Sequence, residues 1–136
     1  MAQSKFTKHV VTRLLLLLVF ASNMYCALMF FLNPADYTAA YQLAGEGAEV
    51  AIAGMGVAFA MWNATYIPLI VFPYKFTILF WVVLAQQCIG LAGETYLYLG
   101  LGPAQAIVAS SIMRFIIFDA VGLVLLIIAL TLSMRR

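Results

Sequence analysis

The sequence predicts an all-α integral membrane protein, a four-helix bundle with both termini cytoplasmic, and three observations carry that reading. The 136 residues are 66% hydrophobic and only 9% charged, with a mean hydropathy of +1.07. The apolar residues fall into four continuous runs, each near the ~20 residues that cross the hydrocarbon core of a bilayer as a helix. Lys and Arg gather on what becomes one side if four helices alternate in direction. An ordinary soluble domain carries about a quarter charged residues, and a chain this short buries only about two thirds of its unfolded surface. Lipid, and not water, is therefore the expected solvent for most of its side chains. Strands are the rival form for apolar runs, but an open strand leaves backbone groups unpaired in lipid, and these runs lack the short alternating segments of a barrel.

The first helix is expected over residues 14–32. Lys5, Lys8 and Arg13 ahead of Leu14 have the layout of a secretory signal. The apolar run nevertheless continues past Cys26 to Leu32 without a small-x-small site, and Tyr25 before Cys26 is unlike a lipoprotein signal. The segment is read as a retained helix, ended by Asn33-Pro34, because proline disfavours helical backbone at the residue before it. Residues 35–43 suggest a short interfacial helix, with Tyr37 and Tyr41 one turn apart at headgroup depth. The second helix, 48–72, opens on Glu46 and Glu49, closes before Pro73, and is expected to bend at Pro68 in its last turns. The third, 76–98, gives way to Gly100-Leu101-Gly102-Pro103, and the fourth, 105–133, is followed by Arg135 and Arg136. Residues 1–136 thus read as one transmembrane domain.

Orientation follows from the basic residues. Lys5, Lys8, Arg13, Lys75, Arg135 and Arg136 share one side, whereas the first and third loops contain no Lys or Arg. That side is expected to be cytoplasmic, in a bacterial inner membrane.

Charged and polar groups inside the spans are the candidate functional residues, since each is costly in hydrocarbon. Glu46, Glu49, Glu94 and Arg114 fall in the outer half, and Arg114 is its only basic residue. An arginine fork there calls for a carboxylate, so pairing with Glu94 or Glu49 is expected. An anionic ligand or snorkelling to the interface are the alternatives. Asp119 lies near the middle of the fourth helix, at a depth similar to Asn23, Gln86 and Gln87, with Asn63 somewhat closer to the cytoplasmic side. If these faces converge they form a central polar layer, either as interhelical glue or as a proton- or ion-handling group. Arg114 and Asp119 stand about 140° apart on the helical wheel, so they belong to separate layers.

Small residues mark close backbone approach: Gly47, Ala51 and Gly54 in the second helix, Gly90 and Gly93 in the third, and Gly122 one turn from Asp119. Trp62, Tyr66, Tyr74, Phe76 and Trp81 read as an interfacial aromatic belt, with Trp62, Asn63, Tyr66 and Gln86 as an alternative cavity lining. Cys26 and Cys88 are expected to be free thiols. The single histidine, His9, precedes the first helix, which excludes bis-histidine haem within one chain. No phosphate-binding glycine loop, nucleophile elbow or H-E-x-x-H motif is present. No catalytic residue, metal ligand or cofactor is therefore assigned.

The stretch from Gly54 through Trp62-Asn63 to Tyr66, then Pro73, then Gln86-Gln87-Cys88 through Gly93-Glu94 resembles small bacterial four-helix membrane proteins. In size and layout the chain also resembles the DoxX-like group. The resemblance covers the middle third, implies a compact bundle in the bacterial inner membrane, and transfers no residue role. Three functions follow from the whole reading. The first expectation is a non-enzymatic accessory or scaffold subunit, in a homo-oligomer or larger membrane complex, with lipid as its surroundings and no nucleic-acid partner. The second is an oligomeric transporter of ions or small solutes using Asp119, Arg114 and Glu94. The third is a quinone- or lipid-binding redox or enzyme subunit built on the central polar layer.

Overall fold

Hydropathy locates the apolar runs, and the computed structural model gives the way they meet. It describes residues 2–134, with side chains from Thr7 onward; the side chain of Lys5 and the pair Arg135 and Arg136 lie outside the described residues. The helices are α1 (Ala2–Leu32), α2 (Ala35–Thr38, continued by a 3₁₀ turn at Ala39–Tyr41), α3 (Ala48–Asn63), α4 (Tyr66–Val71), α5 (Thr77–Leu99) and α6 (Ala106–Met134). Among the described residues there is no strand. Four spans are long and apolar enough to cross a membrane: Thr7–Leu32, Ala48–Val71 (α3 with α4), Thr77–Leu99, and Pro103–Met134. Such a chain is a multi-pass membrane protein by length and composition. Much of its large apolar surface points outward, with Leu14, Tyr25, Val50, Ile78 and Val121 all exposed, as expected of side chains solvated by hydrocarbon.

Three contacts bring the start of α1, the α4–α5 connection and the end of α6 to one end of the molecule. Arg13 donates to the carbonyl of Val71 at 3.1 Å, His9 stacks on Tyr74 with ring centroids 3.8 Å apart, and Ser133 Oγ donates to the carbonyl of Pro73 at 3.3 Å. Lys8, Arg13 and Lys75 therefore share this end, here called the terminal end. At the opposite, loop end, Gln42 Nε2 donates to the carbonyl of Ala104 at 3.2 Å, tying the connection after α1 to the one between α5 and α6.

The helix contacts are unequal. α1 packs on α3, α4 and α6, and α5 packs on α6 and α4, whereas α3 and α5 approach only sparsely, the Trp62 ring lying 3.8 Å from where a Cβ on Gly90 would be. At the terminal end a closed apolar core forms from Leu16 and Val19, Tyr66 and Leu69, Phe80 and Val83, and Leu126 and Ala129. α1 and α3 approach almost backbone to backbone: a Cβ on Gly56 would lie 2.7 Å from both the carbonyl oxygen of Ala27 and the amide nitrogen of Phe31. Only glycine fits at that crossing.

The second span is broken, not merely bent in its last turn. α3 stops at Asn63 and α4 starts at Tyr66, so the interruption lies one turn ahead of Pro68. The missing amide hydrogen of Pro68 leaves the carbonyl of Ala64 without its i+4 donor, and the ring crowds the same carbonyl. Ala64 instead closes a tighter turn through its N–H to the Met61 carbonyl at 3.2 Å. Two polar side chains stabilise the interruption: Asn63 Nδ2 donates to the Phe59 carbonyl at 2.8 Å, and the Thr65 hydroxyl lies 3.0 Å from the Trp62 carbonyl. Because of the break, α4 stays against α5 while α3 follows α1 away from it.

Candidate functional site

The gap between α3 and α5 is a cavity of about 320 Å³. Each of four helices turns one face toward it, and the spacing of the lining residues is helical in every case. α1 supplies Asn23 and Cys26, three apart, and α3 supplies Phe59, Trp62 and Asn63. α6 supplies Phe115, Phe118 and Asp119. On α5 the stripe Gln87, Gly90, Gly93, Glu94 and Leu97 covers about 15 Å of helix rise, half the thickness of a bilayer core. The cavity thus runs from the middle of the spans toward the loop end.

Its deepest feature is a polar contact between α5 and α6. Gln87 Nε2 donates to Asp119 Oδ1 at 2.9 Å and lies 3.2 Å from the Asp119 carbonyl. Two glycines make room for it. A Cβ on Gly90 would lie 2.5 Å from Asp119 Oδ2, and one on Gly122 would lie 2.8 Å from Gln87 Nε2. Each polar side chain therefore sits over a glycine of the facing helix. Asp119 Oδ2 accepts no hydrogen bond among the described residues.

Two wall oxygens are shut off from solvent and lack a donor: Asn63 Oδ1 and Glu94 Oε2. The amide orientation of Asn63 is fixed, because the Phe59 carbonyl beside it can only accept, so the nitrogen must face that carbonyl. Asn63 is 2% exposed. A buried acceptor left unpaired costs about 1–3 kcal/mol, and among the described residues both side chains with that cost line this cavity.

The loop end of the site is aromatic. Phe30, 2% exposed, forms a triangle of rings with Phe59 at 5.9 Å and Phe115 at 6.0 Å, and Tyr37 and Tyr41 of the first connection also pack on it at 4.6 and 6.0 Å between centroids. The two tyrosines do share a face, which packs on Phe30. Burial pushes the Tyr41 phenol up to about 12, with Cys26 and Glu94 adding to the shift and Arg114 opposing it.

The other candidates lie elsewhere. Glu46 and Glu49 are exposed at the start of α3. Gln86 faces away from the cavity, with Oε1 at 3.1 Å from the Thr65 hydroxyl, whose one hydrogen serves either this oxygen or the Trp62 carbonyl. The expected pairing of Arg114 with Glu94 or Glu49 does not form. Arg114 is exposed, and its guanidinium donates to the Ser110 carbonyl at 3.4 Å and to Ser111 Oγ at 3.3 Å on its own helix. The reason is direction: helical side chains lean toward their own N-terminus. α6 begins at the loop end, so Arg114 leans outward; α5 ends there, so Glu94 leans back into the cavity.

Trp62 and Tyr66 also depart from the belt expected for them, since Trp62 lines the cavity and Tyr66 is 1% exposed in the core. Cys26 lines the cavity, Cys88 is exposed, and both are free thiols. Phe59, Phe115 and Phe118 carried no signal of their own in the sequence, being ordinary apolar positions until a neighbouring helix is missing from in front of them. No family model, curated protein or solved structure matches this chain. The chemistry of the cavity is thus read from its own walls: a carboxylate and amide floor, aromatic sides, and the exposed apolar residues Ile89, Leu97 and Phe118 at the rim.

Proposed function

We propose that this chain is an intramembrane binding protein that takes one small amphipathic molecule out of the lipid through the opening between α3 and α5. The observation that carries the reading is a cavity of about 320 Å³ lined by polar side chains from all four of its helices, with the Gln87–Asp119 hydrogen bond at its floor and exposed apolar residues at its rim. Ligand sites have this composition and occupy about 300–1,000 Å³. The site is complete within one chain, which favours binding over the transport and accessory-subunit readings, both of which need further copies or partners. Lys8, Arg13 and Lys75 at the terminal end support a cytoplasmic position for that end in a bacterial inner membrane, with the cavity opening toward the outer leaflet.

Gly93 provides the test. A Cβ there meets nothing within 4 Å, although the residue lines the cavity. Gly93→Leu therefore starts its added side chain in open space at the cavity wall. The expected result is that the purified wild-type chain carries a lipid-soluble molecule, seen by native mass spectrometry and solvent extraction, and that Gly93→Leu folds equally well and lacks it. Identical extracts from the two proteins would refute the proposal.

A further inference from the structure

We infer that the molecule bound between α3 and α5 is a cation, a lipophilic amine whose protonated nitrogen donates to Glu94 and Asn63 while its hydrocarbon body lies against the aromatic walls. The inference rests on the binding role proposed above and narrows its ligand class.

The first support is the sign of the missing partners. Both shielded, unpaired atoms in the wall are oxygens, Asn63 Oδ1 and Glu94 Oε2, and both call for a donor. A quinone ring or an ester, whose polar atoms only accept, leaves each of them as it stands. An ammonium group, with up to three N–H donors and no acceptor, supplies what they lack once the two side chains turn these shielded oxygens toward the cavity they line.

The second support is charge. Glu94 and Asp119 both line the cavity, and no Lys, Arg or His does. The nearest arginine along the chain, Arg114, is turned outward onto Ser110 and Ser111. An anionic lipid head thus meets two carboxylic side chains and no counter-charge, whereas a cation finds them within a low-dielectric wall where attraction is strong.

The third support is the nature of the remaining surface. Phe59, Trp62, Phe115 and Phe118 bring four aromatic rings to one small cavity. Ring faces attract ammonium groups, the more so when water is excluded. An inorganic ion is a poorer fit, since among the described residues no cluster of three His, Cys, Asp or Glu side chains stands ready to hold a metal.

The test uses the full chain in dodecyl maltoside, with Trp81→Phe introduced so that Trp62 is its only tryptophan and reports from the cavity wall. Four probes are titrated: dodecylamine as a donor cation, dodecyltrimethylammonium as a cation without N–H, dodecanol as a neutral donor, and decylubiquinone as a neutral acceptor. Charge-assisted hydrogen bonds contribute about 1.5–3 kcal/mol, so dodecylamine is expected to bind at least about tenfold more tightly than dodecanol or decylubiquinone. Dodecyltrimethylammonium falls between, held by charge and rings alone. Glu94→Gln weakens dodecylamine by about tenfold or more and leaves dodecanol unchanged, and Gly93→Leu blocks all four. Equal or tighter binding of dodecanol or decylubiquinone, itself blocked by Gly93→Leu, overturns the amine assignment while the cavity remains a binding site. Saturable binding of none of them, together with identical extracts from wild type and Gly93→Leu, overturns both. Should Glu94→Gln not fold, the ranking of the four probes on the otherwise unaltered cavity decides.

Discussion

Gly56→Ala isolates the contact on which the α1–α3 pairing depends. The added Cβ would sit 2.7 Å from the Ala27 oxygen and 2.7 Å from the Phe31 nitrogen, against at least 3.4 Å for ordinary contact, a shortfall of 0.7 Å (3.4 − 2.7) on two backbone atoms at once. Backbone cannot rotate away as a side-chain tip can, so the helices must separate locally. Overpacking of this kind costs about 1–3 kcal/mol. Alanine in place of glycine also stabilises a helix by about 0.5–1 kcal/mol. Gly54→Ala, two residues away on the same helix, has that gain and no obstruction, since its Cβ meets nothing within 4 Å. The difference between the two variants removes the common helix term and leaves the steric one, about 1–3 kcal/mol with Gly56→Ala the less stable. Reversible unfolding by sodium dodecyl sulfate in mixed micelles, followed by circular dichroism, measures it. Equal stability, or a Gly56→Ala protein more stable than Gly54→Ala, would refute the close approach of the two helices.

A double-mutant cycle on Gln87→Leu and Asp119→Leu is expected to show a favourable coupling of about 0.6–2 kcal/mol in the same assay, the range of interhelical hydrogen bonds in membranes; strict additivity would remove the contact. The corresponding cycle on Arg114→Leu and Glu94→Leu is expected to be additive within about 0.5 kcal/mol, because the two side chains diverge; a larger coupling would restore the ion pair. Tyr41 predicts an alkaline transition: its phenol ionises at 10.0 unperturbed and about 12 folded, so the folded state holds the proton longer. Its stabilising effect is complete below pH 10 and is lost between pH 10 and 12, with the sign set by proton release from the unfolded chain. Unfolding free energies measured across that window should decline, and Tyr41→Phe should flatten the decline; an unchanged slope in Tyr41→Phe would place the effect elsewhere.

The four long apolar helices are legible in the sequence because burial in lipid imposes a length and a composition on each span, and both can be read without knowing what touches what. The mid-span polar residues Asp119, Gln87, Asn23 and Asn63 are legible for the same reason, each being costly where it stands. Their common destination is not. Whether polar faces close on one another or surround a space depends on the direction α3 takes after Asn63, and Pro68 signals an interruption without giving its position or angle. Arg114 shows a second limit. Depth along the membrane placed it beside Glu94, but side-chain lean depends on helix polarity, and opposite polarity sends the two charges apart. Phe59, Phe115 and Phe118 look like any core phenylalanine in sequence, since a cavity wall and a packed core draw on the same residue types.

The reciprocal seating of Gln87 over Gly122 and Asp119 over Gly90 has a consequence beyond its hydrogen bond. In hydrocarbon, one leucine-rich helix slides past another with little change in free energy, because lipid tails are as apolar as the side chains they replace. Two pegs engaging two notches in opposite senses remove that freedom, since a displacement of α5 along α6 by a single residue drives both polar groups into carbon. The pair therefore indexes the longitudinal position of the two helices, and with it the relative heights of Glu94 and Phe115 in the cavity wall.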